Sequence, residues 1–206
     1  NSGRGYVTYH DDEEKFSLSP EQAAVFAREN EPTCIQGLVQ GVVGQFVKED
    51  IAVDVFQTGR GRPWGEHHEC CFCGTERFFR PAYAGHLLDE WIPAMEGVED
   101  KLKKGAKVAD IGCGLGTSSM LMAEQYPNST IHAFDFHGPS IDEAKKRAAE
   151  KGLDNLEFFV SDAAAIPNES YDLACIFDAW HDMGDPVGVA KSIKDTLADD
   201  GTFMVV

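Results

Sequence analysis

Val108-Ala-Asp110-Ile-Gly112-Cys-Gly114-Leu-Gly116-Thr117 decides the fold of this 206-residue chain. A short apolar run ends in Asp110, three glycines follow at alternate positions, and a helical stretch begins. Glycines at that spacing let the backbone turn sharply and leave main chain bare of Cβ atoms, so that a ligand can lie against it. The spacing is G-x-G-x-G rather than G-x-G-x-x-G, because position 117 is threonine. A second apolar run, Ile131-His-Ala-Phe134, closes on another acid, Asp135, at about the interval where nucleotide-type folds place a ribose-gripping carboxylate.

Outward from this point the rhythm is strand, helix, strand. Strands are expected at Val108–Ile111, Thr130–Phe134, Leu156–Val160, Leu173–Phe177 and Thr202–Val206, the last after an Asp199-Asp-Gly201 turn. Helices are expected at Thr117–Gln125, at Ser140–Lys151 behind a capping box Ser140-x-x-Glu143, and from the Asp185-Pro186 cap to about Leu197. Alternation of this kind implies right-handed crossovers and a doubly wound parallel sheet covered on both faces, an α/β Rossmann-like domain over residues 105–206. The fifth strand coincides with Val206, which would leave a bare edge. The chain therefore reads as a piece of a longer one, cut at both ends, with its sheet truncated after strand five.

Residues 1–104 read differently. Gly5–Tyr9 and Lys15–Leu18 are β-prone runs about an acidic turn, a hairpin signal. Ser19-Pro-Glu-Gln22 combines an N-cap, a proline at the first helical position and a capping-box glutamine, predicting a helix over Pro20–Arg28. Cys34–Phe46 and Glu49–Phe56 are apolar helical stretches that suggest a buried or dimerising surface, and Phe78–Met95 is a further helix whose Phe79, Tyr83 and Trp91 read as core. Thr58-Gly-Arg-Gly-Arg-Pro63 is a loop, either ordinary surface or a lid carrying Trp64.

The chain has 18 basic and 35 acidic side chains, a net charge of −17. That field repels phosphate backbones and anionic lipid, which argues against nucleic-acid or membrane partners held by bulk charge. No apolar run approaches the length of a membrane span and no signal peptide is visible. Two of the six cysteines, Cys113 and Cys175, fall in interior-type stretches, which suits thiols in the reducing cytoplasm.

In a sheet of this kind, ligands sit beyond the C-terminal ends of the strands. Those ends supply Asp110 with the glycine loop, Asp135 with Phe136, Ser161-Asp162-Ala163, and Phe177-Asp178-Ala-Trp-His181. An adenosine-containing cofactor is expected. A diphosphate wants free N–H groups with no carboxylate beside them. Asp110 would oppose a diphosphate but could hold an ammonium group, directly or through water, so S-adenosylmethionine fits better than NAD.

Asp110-Ile-Gly-Cys-Gly-Leu-Gly116, Asp135, Ser161-Asp-Ala163 and Phe177-Asp-Ala-Trp-His-Asp-Met resemble the motifs of class I S-adenosylmethionine-dependent methyltransferases, over about half the chain. The resemblance implies that Gly112, Cys113 and Gly114 pass under the methionine part of the cofactor, with Gly116 completing the loop. It implies that Asp135 holds both ribose hydroxyls, Phe136 packs on the adenine and Asp162, between Ser161 and Ala163, accepts from its amino group. Phe177 and Asp178 would border the methionine. The front half is similar to the winged-helix-type region of a smaller set of these enzymes, where it often serves dimerisation, although the helices that should precede the wing are absent.

The resemblance implies a transferase acting on a small-molecule acceptor, with a homodimer through the N-terminal helices. The alternative is a non-catalytic cofactor-binding winged-helix regulator. Methyl transfer depends mostly on positioning, and His181 is the candidate base where the acceptor must lose a proton. A loop-steadying role for His181 stands beside that one. His67-x-x-Cys70-x-x-Cys73, with Cys71 between, offers three metal donors where a structural zinc wants four, so no metal is expected.

Overall fold

The computed structural model describes residues 5–29 and 31–206. The chain forms two compact units, Asn1–Ala82 and Tyr83–Val206, which places the division earlier than the 104/105 boundary expected from the strand–helix rhythm.

In the first unit, Thr8–His10 (β1) and Lys15–Ser17 (β2) pair antiparallel as the expected hairpin. Helix α1 (Pro20–Phe26) starts on the predicted capping box: the Ser19 hydroxyl accepts from the Gln22 N–H, and the Gln22 side chain accepts from the Ser19 N–H at 2.8 Å. Helices α2 (Gln36–Val47), α3 (Glu49–Thr58) and α4 (Glu69–Ala82) follow. Helix α4 begins well before the expected Phe78, so Cys70 to Cys73 lie in its first turns. Helices α2 and α4 pack through glycine: a Cβ on Gly74 would come within 2.4 Å of the Gly41 nitrogen, and one on Gly37 within 2.4 Å of the Phe78 nitrogen. The apolar side chains of α2 and α3 are left at the surface, Phe46 and Phe56 being 72% and 91% exposed.

In the second unit, the nine residues Tyr83–Trp91 form a π-helical segment. Pro81 closes α4 just before it and has no N–H to continue the α-helical ladder. Helix α5 (Val98–Lys104) leads into β3 (Lys107–Ile111), and then come α6 (Thr117–Gln125), β4 (Thr130–Asp135), α7 (Gly138–Lys151), β5 (Leu156–Val160), β6 (Tyr171–Ile176), α8 (Pro186–Thr196) and β7 (Leu197–Val205). The five strands form one parallel sheet in the order β5-β4-β3-β6-β7. Strand order therefore reverses at β3, where the chain turns into the glycine loop.

Alternate residues feed two cores. Val108, Ile131, Ala133, Leu173 and Cys175 pack with residues of α5, α6 and α7 on one face. Ala109, Ile111, Phe134, Ala174 and Ile176 meet Val189 and Ile193 of α8 on the other. Both faces are covered, as a parallel sheet requires.

Three local expectations are corrected. Helix α7 starts at Gly138, not Ser140; its N-cap is His137, and the Ser140 hydroxyl lies against the His137 Nδ1 at 2.8 Å instead of forming a capping box. Glu143 accepts from Arg147 one turn on. Strand β6 starts two residues early at Tyr171, which is fully buried with its hydroxyl paired to His132 Nδ1 at 2.9 Å. Strand β7 begins at Leu197, and the Asp199–Gly201 turn is taken up as an irregularity in its pairing with β6.

Candidate functional site

The glycine loop joins β3 to α6 at the reversal point. Gly112, Gly114 and Gly116 have φ of 73°, 54° and 76°, all in the left-handed region that side chains disfavour. Each glycine meets different surroundings. A Cβ on Gly112 would lie 2.9 Å from the Ala179 Cβ, and one on Gly116 2.7 Å from the Phe158 ring. A Cβ on Gly114 would meet nothing within 4 Å, so the middle glycine faces open space. The loop is pinned to β4: the N–H groups of Gly112 and Cys113 both donate to the Phe134 carbonyl, at 2.8 and 3.0 Å.

Asp135 ends β4 and is nearly buried. Its Oδ2 accepts from the Gly114 N–H at 2.9 Å and its Oδ1 from the His137 N–H at 2.8 Å. Phe136 follows and is 58% exposed. After β5, the exposed Asp162 caps a short helical turn by accepting from the Ala164 N–H at 2.7 Å, and Ser161 donates to the Asp162 carbonyl. Ala163 opens that turn and packs against the second core.

Asp110 lies elsewhere than the sequence suggests. It is fully buried beneath the loop, where the hydroxyls of Ser118 and Ser119 donate to its Oδ2 at 2.7 and 2.5 Å. Its Oδ1 has no hydrogen-bond partner. Burial raises the Asp110 carboxyl to about 6, against the two serine bonds, and the Asp135 charge adds to the rise. Sequence reading missed both serines; the only signal was a hydroxyl pair in the first turn after the loop. Burial also pushes the Cys113 and Cys175 thiols well above their ordinary range, so neither is a thiolate nucleophile.

Beyond β6, Phe177 is buried against Tyr83 and Trp91. Asp178 has φ 48°, and its N–H donates to the Val206 carbonyl at 2.9 Å. Partial burial raises its carboxyl above the ordinary range. The exposed His181 places Nδ1 3.9 Å from Asp178 Oδ1 and Nε2 3.5 Å from Asp182 Oδ1. Asp178, Ala179, Trp180, His181, Pro186, Val205 and Val206 line a cleft of about 300 Å³. The glycine loop, Phe136 and Asp162 stand outside that lining. The structure thus brings Asp135 and the loop into direct contact and gathers Asp178 and His181 around a separate, adjoining hollow.

Among the described residues, no group of three or more His, Cys, Asp or Glu side chains could hold a metal ion. In the cysteine-rich stretch, Gln45 Nε2 approaches His67 Nδ1 at 3.3 Å and donates to Cys71 Sγ at 3.4 Å, while His68 Nδ1 accepts from the Cys70 N–H. No described helix is long and apolar enough to cross a membrane.

A family model described as a methyltransferase domain matches residues 102–206, and the chain belongs to that family. It is 33% identical over 105 residues to a ubiquinone biosynthesis O-methyltransferase of Actinobacillus pleuropneumoniae serotype 7 (strain AP76), covering 48% of this chain and 44% of that protein. It is 32% identical over 111 residues to a tRNA (guanine-N(7)-)-methyltransferase of Edwardsiella ictaluri (strain 93-146), covering 46% of each. The chain thus spans less than half the length of these relatives. Coclaurine N-methyltransferase bound to N-methylheliamine and SAH superposes with a TM-score of 0.53 at 20% identity, over 61% of this chain and 36% of that one, a likeness of fold alone.

Proposed function

We propose that the chain carries the cofactor-binding core of an S-adenosylmethionine-dependent methyltransferase that delivers its methyl group to a small-molecule acceptor. One observation carries this reading: the middle glycine of a left-handed G-x-G-x-G loop opens onto empty space while its N–H is bonded to the carboxylate at the next strand end. A side chain at Gly114 would fill that space, and an adenosine ligand needs both the space and the carboxylate. Asp135 would hold the ribose hydroxyls, the exposed Phe136 ring the adenine face, and Asp162, flanked by Ser161 and Ala163, the adenine amino group. Gly112, Cys113, Gly114 and Gly116 would underlie the methionine part, with Phe177 and Asp178 at its border. Asp110 would act through the loop it braces.

When bound, the cofactor supplies an activated sulfonium methyl. The chain's own part is to orient the acceptor in line and to exclude water. His181 would take the proton of an acceptor hydroxyl, and the flanking Asp178 and Asp182 carboxylates would stabilise the imidazolium that results. Trp180, Pro186, Val205 and Val206 give the cleft apolar walls that suit a small planar acceptor. The O-methyltransferase relative supports that acceptor class. The tRNA-modifying relative points to nucleic acid, and the net charge of −17 weighs against it.

The hairpin followed by α1 supports a winged-helix-type reading of the N-terminal unit. The exposed apolar residues of α2 and α3 support a homodimer through those helices, and the interior thiols support a cytoplasmic location. Calorimetric titration with S-adenosylmethionine and with S-adenosylhomocysteine tests the core claim. Micromolar binding of both that weakens at least tenfold in Asp135→Ala is expected. Absence of binding at millimolar ligand, or binding indifferent to Asp135→Ala, overturns it. Light scattering of a concentrated sample tests the dimer.

A further inference from the structure

The cysteine-rich start of α4 plays no part in the methyltransferase site. His68 caps this helix: its carbonyl accepts from the Cys71 N–H at 2.8 Å, and its ring Nδ1 accepts from the Cys70 N–H at 3.2 Å. The register of the helix then sorts its three cysteines by face. Cys71, Gly74 and Phe78 run along the seam with α2, their backbones against Gly44, Gly41 and Gly37. The Cys71 Sγ accepts from Gln45 of α2 at 3.4 Å. Cys70 and Cys73 each stand one residue earlier, about 100° round the helix from that seam.

Exposure follows the same division. Of the six cysteines, Cys34, Cys71, Cys113 and Cys175 are buried, Cys70 is partly buried and Cys73 is exposed. The two thiols that reach solvent are therefore a Cys70-x-x-Cys73 pair on one helix. Residues three apart in a helix are neighbours on its surface. With a helix radius of about 2.3 Å and a rise of about 1.5 Å per residue, their Cα atoms stand about 5 Å apart. That lies inside the window of about 4.4–6.8 Å that a disulfide spans. Cβ atoms at this spacing are about 5–6 Å apart and must close by about 1–2 Å, a tightening that a fraying helix start allows. The seam with α2 stays closed, because neither residue lies on it.

We propose that Cys70 and Cys73 form a redox-active dithiol, a modification site that closes to an intrahelical disulfide by exchange with low-molecular-weight disulfides such as oxidised glutathione. The exposed Cys73, as thiolate, attacks one sulfur of the small disulfide, forms a mixed disulfide and expels the first small thiolate. Cys70, as thiolate, then attacks the Cys73 sulfur. The mixed bond breaks, the Cys70–Cys73 bond forms and the second small thiolate leaves. The two protons lost by the cysteines end on the two small thiolates, so the protein gives up two electrons and the small disulfide takes them. The second attack is intramolecular and is favoured by the high effective concentration of a neighbour on the same helix. In a reducing compartment such a bridge is transient.

The test is a peptide map of the full chain after incubation with oxidised glutathione, with unreacted thiols blocked by iodoacetamide. A Cys70–Cys73 link that reduced glutathione removes is expected. The reduced chain is also expected to capture phenylarsine oxide, which bonds two neighbouring thiols and releases one water. Cys70→Ser and Cys73→Ser are each expected to weaken that capture about 100-fold. Cys70→Ser is further expected to hold glutathione on Cys73 as a lasting mixed disulfide. Circular dichroism checks that both variants keep their helix content, and the map of the unaltered chain stands whether or not they do. A glutathione adduct that persists on Cys73 of the unaltered chain overturns the proposal. So does a bridge that joins two chains or takes in Cys71, and so do two thiols that stay reduced.

Discussion

The N–H of Gly114 donates to Oδ2 of Asp135 at 2.9 Å, which ties the centre of the glycine loop to the end of β4. Oδ1 of the same carboxylate accepts from His137. An ionised carboxylate offers about four acceptor directions, so two backbone donors leave room for two hydroxyls. On the proposed reading Asp135 therefore has two duties, bracing the loop and holding the ribose, and they can be separated. Asparagine keeps one acceptor oxygen, whereas alanine removes both and leaves two N–H groups without partners. Asp135→Ala is expected to lower the free energy of unfolding by about 1–3 kcal/mol and to weaken cofactor binding more than tenfold. Asp135→Asn is expected to fall between Asp135→Ala and wild type in both. Urea denaturation and calorimetry on the same samples read the two effects.

The three loop glycines should fail in different ways. Gly116→Ala would place a methyl group 2.7 Å from the Phe158 ring and 3.2 Å from the Ala144 Cβ, at φ 76°. Left-handed strain and overpacking together are expected to cost about 2–4 kcal/mol of stability. Gly114→Ala meets no neighbour and carries only the backbone strain, about 1–2 kcal/mol, but its methyl group enters the space assigned to the ligand. Denaturation midpoints should therefore fall further for Gly116→Ala, and cofactor affinity further for Gly114→Ala. The opposite ranking would mean that the ligand does not lie over the middle glycine.

Most of the sheet was legible in the sequence, because parallel strands buried on both faces are short apolar runs and the helices between them carry recognisable caps. The Ser19 box and the Asp185 cap form as expected, the latter accepting from the Gly188 N–H at 2.9 Å. The Ser140 box does not form, because a glycine–proline pair lets the helix begin earlier and a cap signal says nothing about which of two starts packs better. The sequence points Asp110 toward the ligand because its neighbours in the chain are loop residues. The burial of its side chain depends on Ser118 and Ser119 turning back beneath the loop, a tertiary fact. The apolar runs of α2 and α3 are equally ambiguous. Hydrophobicity suggests a core, yet it is the glycines of α2 that face α4.

That glycine seam gives a paired prediction for the N-terminal unit. Alanine ordinarily favours a helix over glycine by about 1 kcal/mol. At Gly41 a Cβ meets nothing within 4 Å, so Gly41→Ala is expected to stabilise by about 0.5–1 kcal/mol. At Gly74 a Cβ would press on the Gly41 nitrogen at 2.4 Å and on the Gly37 carbonyl oxygen at 2.8 Å, which are backbone atoms that cannot swing aside. Gly74→Ala is expected to destabilise by about 1–3 kcal/mol or more despite its better propensity. Helical circular dichroism followed through urea denaturation distinguishes the two signs.

The buried Asp110 should set a pH dependence of stability in the second unit. Its carboxyl titrates near 3.8 when free and at about 6 in the fold, where burial is the chief cause and the Asp135 charge a lesser one. Folding thus favours the protonated form. The stabilisation that Asp110 contributes is complete below about pH 3.8 and is lost progressively as pH rises through about 6. The loss comes to roughly 3 kcal/mol, at about 1.4 kcal/mol for each pH unit that separates the two titration points. Asp110→Asn keeps the shape and one acceptor for the two serines but cannot ionise. Its amide nitrogen replaces the partnerless Oδ1, which adds a constant cost of about 1–3 kcal/mol at every pH. The charge is read from the slope: the stability of Asp110→Asn relative to wild type should rise by roughly 3 kcal/mol between about pH 3 and pH 8, with its midpoint near 5. Urea denaturation at half-unit intervals measures the difference. A difference that does not change with pH would mean that the Asp110 carboxyl is as easily ionised in the fold as in the open chain, and that water reaches it beneath the loop.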